Sequence, residues 1–217
     1  MKLTEWIIVS IFAACVIGLV VLKMLNVDSR KRGVLKIISS ALFVTIGVIG
    51  YVKDGSTEGL ILLIGLIFAF FGDVFLIFMD KRKWFILGVA SFSCASLTFS
   101  VLSFICGKWQ WWFLVPMILF LIANSFCQIK NVYSFGSNLL LLNIYTCFVT
   151  MCGSLGLTQV FVGGTKFILF GLGCFLYFIS DFILGLYLFK FRNRYLDSTN
   201  TLTYFPGLLL IAISLLV

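Results

Sequence analysis

The chain is a succession of long apolar runs separated by short polar connections that are mostly basic. Eight runs approach or reach the ~20 residues that an α-helix needs to cross a hydrocarbon core. They cover roughly 6–25, 34–51, 59–79, 84–106, 111–127, 138–156, 165–189 and 201–217. The runs are continuous and show none of the alternation over ~10-residue units that a membrane barrel requires, so strands are not expected. Some connections are only four residues long, which makes adjacent helices antiparallel neighbours and leaves almost nothing for an extramembrane domain. The first run is too long for a signal-peptide core. It lacks an A-x-A site and is followed by Arg30-Lys31-Arg32, a stop-transfer flank, so it reads as a helix. The pattern predicts an all-α polytopic membrane helical bundle of about eight transmembrane helices, one domain over 1–217.

Composition narrows this further. The chain is 62% hydrophobic with a mean hydropathy of +1.17, against the ~45–50% apolar usage of soluble domains. No water-facing surface could be built from it, and intrinsic disorder needs the opposite composition. There is no histidine, which removes Ser-His-Asp and Cys-His catalysis and every His-ligated metal site. The seven cysteines form no C-x-x-C pair and lie mostly inside apolar runs, where they serve as small packing residues. No metal site, cofactor or disulfide framework is expected.

The net charge of +8 invites a nucleic-acid reading. The basic residues instead cluster in connections between apolar runs, so no nucleic-acid partner is expected. Connections one, three, five and seven hold twelve Lys and Arg, among them Lys23, Arg32, Lys36, Arg192 and Arg194. The N-terminus and the even connections hold four: Lys2, Lys53, Lys108 and Lys166. The positive-inside rule then places the odd connections in the cytoplasm and both termini on the other side. Trp109, Trp111 and Trp112 would lie at the outer interface.

Two carboxylates fall inside apolar runs, Asp73 in the third and Asp181 in the seventh. A charged group at a helix centre costs at least ~2.5–3.5 kcal/mol, so such residues face a polar interior and mark function. Asp73 precedes Asp80 by seven residues, and Asp181 precedes Lys190 by nine. At the helical rise both lie about 10–14 Å below the same boundary. Lys36, Asn124, Asn143, Ser180 and Tyr204 fall at similar or shallower depth on that side, and the outer half shows no comparable set. The residues therefore predict a shared cavity opening toward the cytoplasm or inner leaflet. Without histidine, proton transfer falls to the carboxylates. Two carboxyls in one low-dielectric cavity do not ionise together, so one can serve as acid and the other as base. That pairing suits cleavage through an oxocarbenium-like cation, as in glycosides and, by the same logic, vinyl ethers. It suits a proton-coupled carrier equally well, and an Asp73–Lys36 structural pair is a further alternative.

Several blocks resemble the lysoplasmalogenase (YhhN-type) family of membrane proteins. GDVFLIF at 72–78 is similar to its Gly-Asp motif, and Phe85, Gly88 and Phe92 keep the spacing of the next helix. Tyr145 and Met151 resemble a Y-x5-M block, FLYFISDFILGLYLF at 175–189 a Ser-Asp helix, and TYFPGLLLIAIS at 203–214 the final Thr-Tyr-Tyr helix. Lys36 fits the lysine that opens the second helix. The resemblance covers most of 34–217. It implies an integral membrane hydrolase that cleaves the alkenyl ether of a lysoplasmalogen, a lysophospholipid, to a fatty aldehyde and a glycerophospho-base. Asp73 and Asp181 would be acid and base in either order, and Lys36 would hold the lipid phosphate. Ser180 and Tyr204 would orient carboxylate or substrate, with Asn124 and Asn143 also at the substrate. The alternative is a non-catalytic membrane carrier or lipid-binding protein of the same family. Five positions depart from the family pattern: Ser96 replaces a histidine, Phe99 a tyrosine, Phe205 the second tyrosine of the last helix, Leu208 a glutamine, and Ile37 the proline after the lysine.

Overall fold

The computed structural model describes residues 2–27, 29–106, 109–132 and 135–217, without the side chains of Ser29 and Ser137. Lys108, counted above for orientation, lies outside them. Eight long helices run in chain order among the described residues, with no strand. They are α1 (Leu3–Met24), α2 (Ser29–Asp54), α3 (Thr57–Ile77), α4 (Arg82–Ile105), α5 (Leu114–Ile129), α6 (Leu139–Val162), α7 (Thr165–Phe189) and α8 (Arg194–Ile213). All eight are long and apolar enough to span a bilayer. The protein is a multi-pass membrane bundle.

Helix ends depart from the apolar runs for a physical reason: backbone hydrogen bonding sets them, whereas hydropathy marks only the lipid-facing length. The helix α8 starts at Arg194, seven residues before its apolar run, because Asn193 caps it by accepting from the Tyr195 N–H at 3.0 Å. The helix α2 already includes Arg30–Arg32. Both α1 and α5 stop at an asparagine in the left-handed region, Asn26 and Asn131, each with φ of 53°. That conformation lets the next N–H reach back to an orphan carbonyl, Val27 to Leu22 and Val132 to Cys127. The α6–α7 turn is Gly163-Gly164, with φ of 91° and 93°, values that a side chain would strain.

The even helix count returns both termini to one end of the bundle. There Lys53 at the end of α2 pairs with Glu5 of α1, and Leu215 packs on Gly50. At the opposite end, Lys23 of α1 bonds Asp197 of α8. We call these the terminal end and the basic end. The helix α8 sits centrally, packed against α7, α1 and α2, while α3–α4 and α6–α7 form close pairs. The core is built from Phe12, Phe43, Leu66, Phe99, Tyr177 and Phe205, all nearly inaccessible. Gly72 and Gly88 bring α3 and α4 together: a Cβ on Gly72 would meet the Phe92 ring at 2.8 Å. The helix α5 is peripheral. It packs on α6 and has no fully buried residue.

Candidate functional site

Asp73, on α3, is 1% exposed and fully engaged. Lys36 Nζ stands 2.9 Å from its Oδ1. Its Oδ2 accepts from Ser40 Oγ at 2.6 Å and from the Tyr204 hydroxyl at 2.8 Å. Lys36 and Ser40 are four apart on α2 and so share one face of that helix. Tyr204 comes from α8, which makes the cluster a joint between three helices. An ionised carboxylate has about four lone-pair sites. Three are taken here, which holds the Asp73 carboxyl in a fixed orientation with room for one more donor.

Asp181, on α7, faces the same space. A cavity of about 210 Å³ is lined by Asp73, Asp181, Lys36 and Tyr204, with Phe92 and Asn200. Asp181 has fewer partners than Asp73. Its Oδ2 is buried with no hydrogen-bond partner among the described residues, and Tyr145 of α6 lines a small cavity beside it. A buried acceptor left open is costly, of order 1–3 kcal/mol and more when charged. A proton or a ligand donor relieves that cost, and both are groups that a working site supplies.

Asp181 also borders a second, smaller cavity of about 60 Å³ on the α5 side, lined by Phe120, Phe178, Phe182, Tyr145 and Asn124. Phe120 meets Phe178 and Phe182 edge-on at 4.8 and 5.4 Å between centroids. One carboxyl thus stands between a polar cavity and an aromatic groove.

The sequence-derived set divides accordingly. Asp73, Asp181, Lys36 and Tyr204 share the larger cavity, and Asn124 lines the groove. Ser180 is turned away: its Oγ donates to the Tyr177 carbonyl at 2.6 Å, and its own carbonyl accepts from Asn200 at 2.7 Å. Asn143 lines neither cavity and accepts from Gln128 at 2.9 Å between α6 and α5. Lys36, read as a phosphate anchor, is instead bonded to Asp73. Ser40 and Tyr145 escaped sequence reasoning as site residues. Ser40 carried a weak signal, its i+4 spacing from Lys36, and Tyr145 a stronger one, its place in a recognisable block.

Three departures from the family pattern fall behind the cavity wall, whereas Phe205 lines it. Ser96, Phe99 and Leu208 are fully buried, and none of them lines the cavity. Ser96 Oγ donates to the Phe92 carbonyl at 3.0 Å and lies 3.4 Å from the Tyr177 hydroxyl. These three replacements leave the cavity lining unchanged, and Phe205 is the departure that reaches it.

A model of the YhhN family matches residues 31–215. No curated protein and no solved structure matches the chain. The matched stretch contains Lys36, Asp73, Tyr145, Asp181 and Tyr204, the residues around the two carboxyls. The chain belongs to the YhhN family, which is of the lysoplasmalogenase type.

Proposed function

We propose that the protein is a membrane ether hydrolase that cleaves the alkenyl ether of a lysoplasmalogen. The observation that carries this is the position of Asp181, a carboxyl with an open buried oxygen between a polar cavity and an aromatic groove. A lysolipid has the same polarity change at the bond between chain and glycerol. With its chain in the groove and its glycerol in the cavity, the ether lies beside Asp181.

The chemistry follows from the unequal surroundings of the two carboxyls. Asp181 gives its proton to the vinyl carbon remote from oxygen, and an oxocarbenium ion forms at the carbon next to it. Water adds to that carbon. Asp73 retains one lone-pair site, which orients the water. The water's proton passes to the carboxylate of Asp181, which is thereby restored. The hemiacetal then breaks its bond to the glycerol oxygen, which leaves as the alcohol, and its own hydroxyl becomes the aldehyde carbonyl. One water is consumed, and no oxidant or metal enters the balance. Lys36, Ser40 and Tyr204 are positioning residues that keep Asp73 ionised and fixed. On the twelve-to-four distribution of basic residues, we place the basic end in the cytoplasm, so that substrate arrives from the inner leaflet.

Purified protein in detergent is incubated with a lysoplasmalogen and, separately, with a saturated lysophospholipid. Aldehyde release from the first alone is expected. A non-catalytic carrier or lipid-binding protein would bind both and release none, and that result rejects the hydrolase.

A further inference from the structure

The Asp73–Lys36 pair leaves the negative group of a lysolipid without the cation first assigned to it. The structure holds other cations close by. A wide recess of about 560 Å³ at the basic end is lined by Lys23, Arg32, Arg192 and Arg194, with Asp197 as the one carboxylate of its lining among the described residues. It shares Lys23, Arg32, Tyr187 and Asp197 with the cavity that holds Asp73 and Asp181, so the two are continuous. The cations are far apart in sequence. They come from the end of α1, the start of α2, the α7–α8 connection and the start of α8, and only the tertiary fold gathers them.

Most of the local negative charge is already used. Asp197 Oδ1 is bonded to Lys23 at 2.5 Å, and Lys23 also donates to Thr201 Oγ1 at 2.7 Å. Arg32 reaches Asp197 Oδ2 only at 3.9 Å, beyond hydrogen-bond length. Its Nε is buried and has no partner among the described residues. Arg194 spends one N–H on the Met24 carbonyl at 3.3 Å, and Arg192 is exposed. Among the described residues four cations surround one occupied carboxylate and repel one another, and an unmet guanidinium donor adds to the cost. A guanidinium presents a planar fork that fits two oxygens of a phosphate.

We infer that Arg32, assisted by Arg192 and Arg194, forms a phosphate site at the mouth of the cavity and selects lysolipids with a phosphorylated headgroup over neutral glyceryl ethers. The inference rests on the hydrolase reading for what is cleaved, but the binding site stands without it. Phosphate seated in the recess leaves the glycerol in the cavity below, on the side of Asp181.

The test is a binding comparison on the full-length protein in a nonionic detergent, with probes that cannot be cleaved. Wild type is expected to bind a 1-alkyl lysophosphatidylcholine at least ten times more tightly than the matching 1-alkylglycerol. Arg32→Gln and Arg194→Gln should each remove several-fold of that preference and leave alkylglycerol affinity unchanged. Arg32→Lys, which keeps charge without the fork, should recover part of it. Arg192→Gln, at an exposed position that should not disturb folding, should weaken the lysophospholipid by a smaller factor. Equal wild-type affinity for the two probes overturns the inference, as does an Arg32→Gln protein of unchanged melting temperature and unchanged preference. Inorganic phosphate that binds as tightly as the lysophospholipid, with the same Arg32 dependence, overturns the lipid assignment in favour of free phosphate. If wild type keeps the preference but releases no aldehyde from lysoplasmalogen, the phosphate site stands and the hydrolase reading falls.

Discussion

The two halves of the bundle bury polar groups in different ways. Toward the terminal end they come in closed pairs. Gln159 Nε2 donates to Ser103 Oγ at 2.6 Å, and the buried Glu5 pairs with Lys53. The cavity there is only about 20 Å³. Toward the basic end one carboxylate has three donors while its neighbour has an open oxygen, and the cavity is about ten times larger. The sequence led us to expect no comparable polar set in the outer half. The structure shows one, and what distinguishes it is closure. Satisfied polar pairs between membrane helices are joints, worth ~1 kcal/mol each. An unsatisfied acceptor on a residue that lines a space able to admit a ligand is the arrangement that chemistry uses.

The backbone packing follows the same division. In the terminal half a Cβ on Gly171 would stand 2.4 Å from the Gly156 carbonyl oxygen, whereas a Cβ on Gly185, beside the aromatic groove, would meet nothing within 4 Å. Contact with backbone cannot be relieved by a rotamer change. The terminal half is therefore the rigid frame, and the basic half has room for a substrate.

The contrast can be broken most directly at Asp181. Asp181→Asn cannot exchange the proton and should lower aldehyde release by about 10²–10⁴-fold. Its melting temperature should stay close to that of wild type, because the carboxyl holds few partners. Activity near wild type would remove Asp181 from the chemistry. Asp73→Asn should act on both readouts. It strands Lys36 and weakens two hydroxyl donors, with an expected cost of about 3 kcal/mol beside the loss of turnover. A melting curve that does not move would show that the Asp73 cluster is no joint.

Smaller effects sharpen the packing side. Gly171→Ala should destabilise by about 1–3 kcal/mol through overpacking, while Gly185→Ala should be neutral or slightly stabilising, since alanine is the better helix former by up to ~1 kcal/mol. Equal losses in thermal melts would contradict the rigid-frame picture. Ser103→Ala should be the mildest. It should cost about 1 kcal/mol for the lost interhelical bond to Gln159 and leave aldehyde release within twofold of wild type. A large loss of turnover there would mean that the terminal half takes part in the reaction.

The amino-acid sequence by itself determined the class of molecule. Eight apolar runs with short connections leave a chain no way to satisfy its backbone in lipid except as antiparallel helices. It also singled out Asp73 and Asp181, because ionisable groups inside such runs are too costly to be incidental. Their shared depth could be counted along the helices, and Lys36 and Tyr204 came with them. Depth is a one-dimensional quantity that residue counting supplies. Direction around each helix axis and the identity of the facing helix are not, and they depend on how all eight helices pack. The tertiary structure therefore decided that Lys36 meets Asp73, that Ser180 turns back on its own helix, and that Tyr145 and Asp181 line one groove. It also decided that Lys23, Arg32, Arg192 and Arg194, which in sequence read only as orientation signals, surround one recess. Asymmetry between the two carboxyls is of the same kind. It arises from neighbours on other helices, so no reading of either aspartate's own segment could have assigned it.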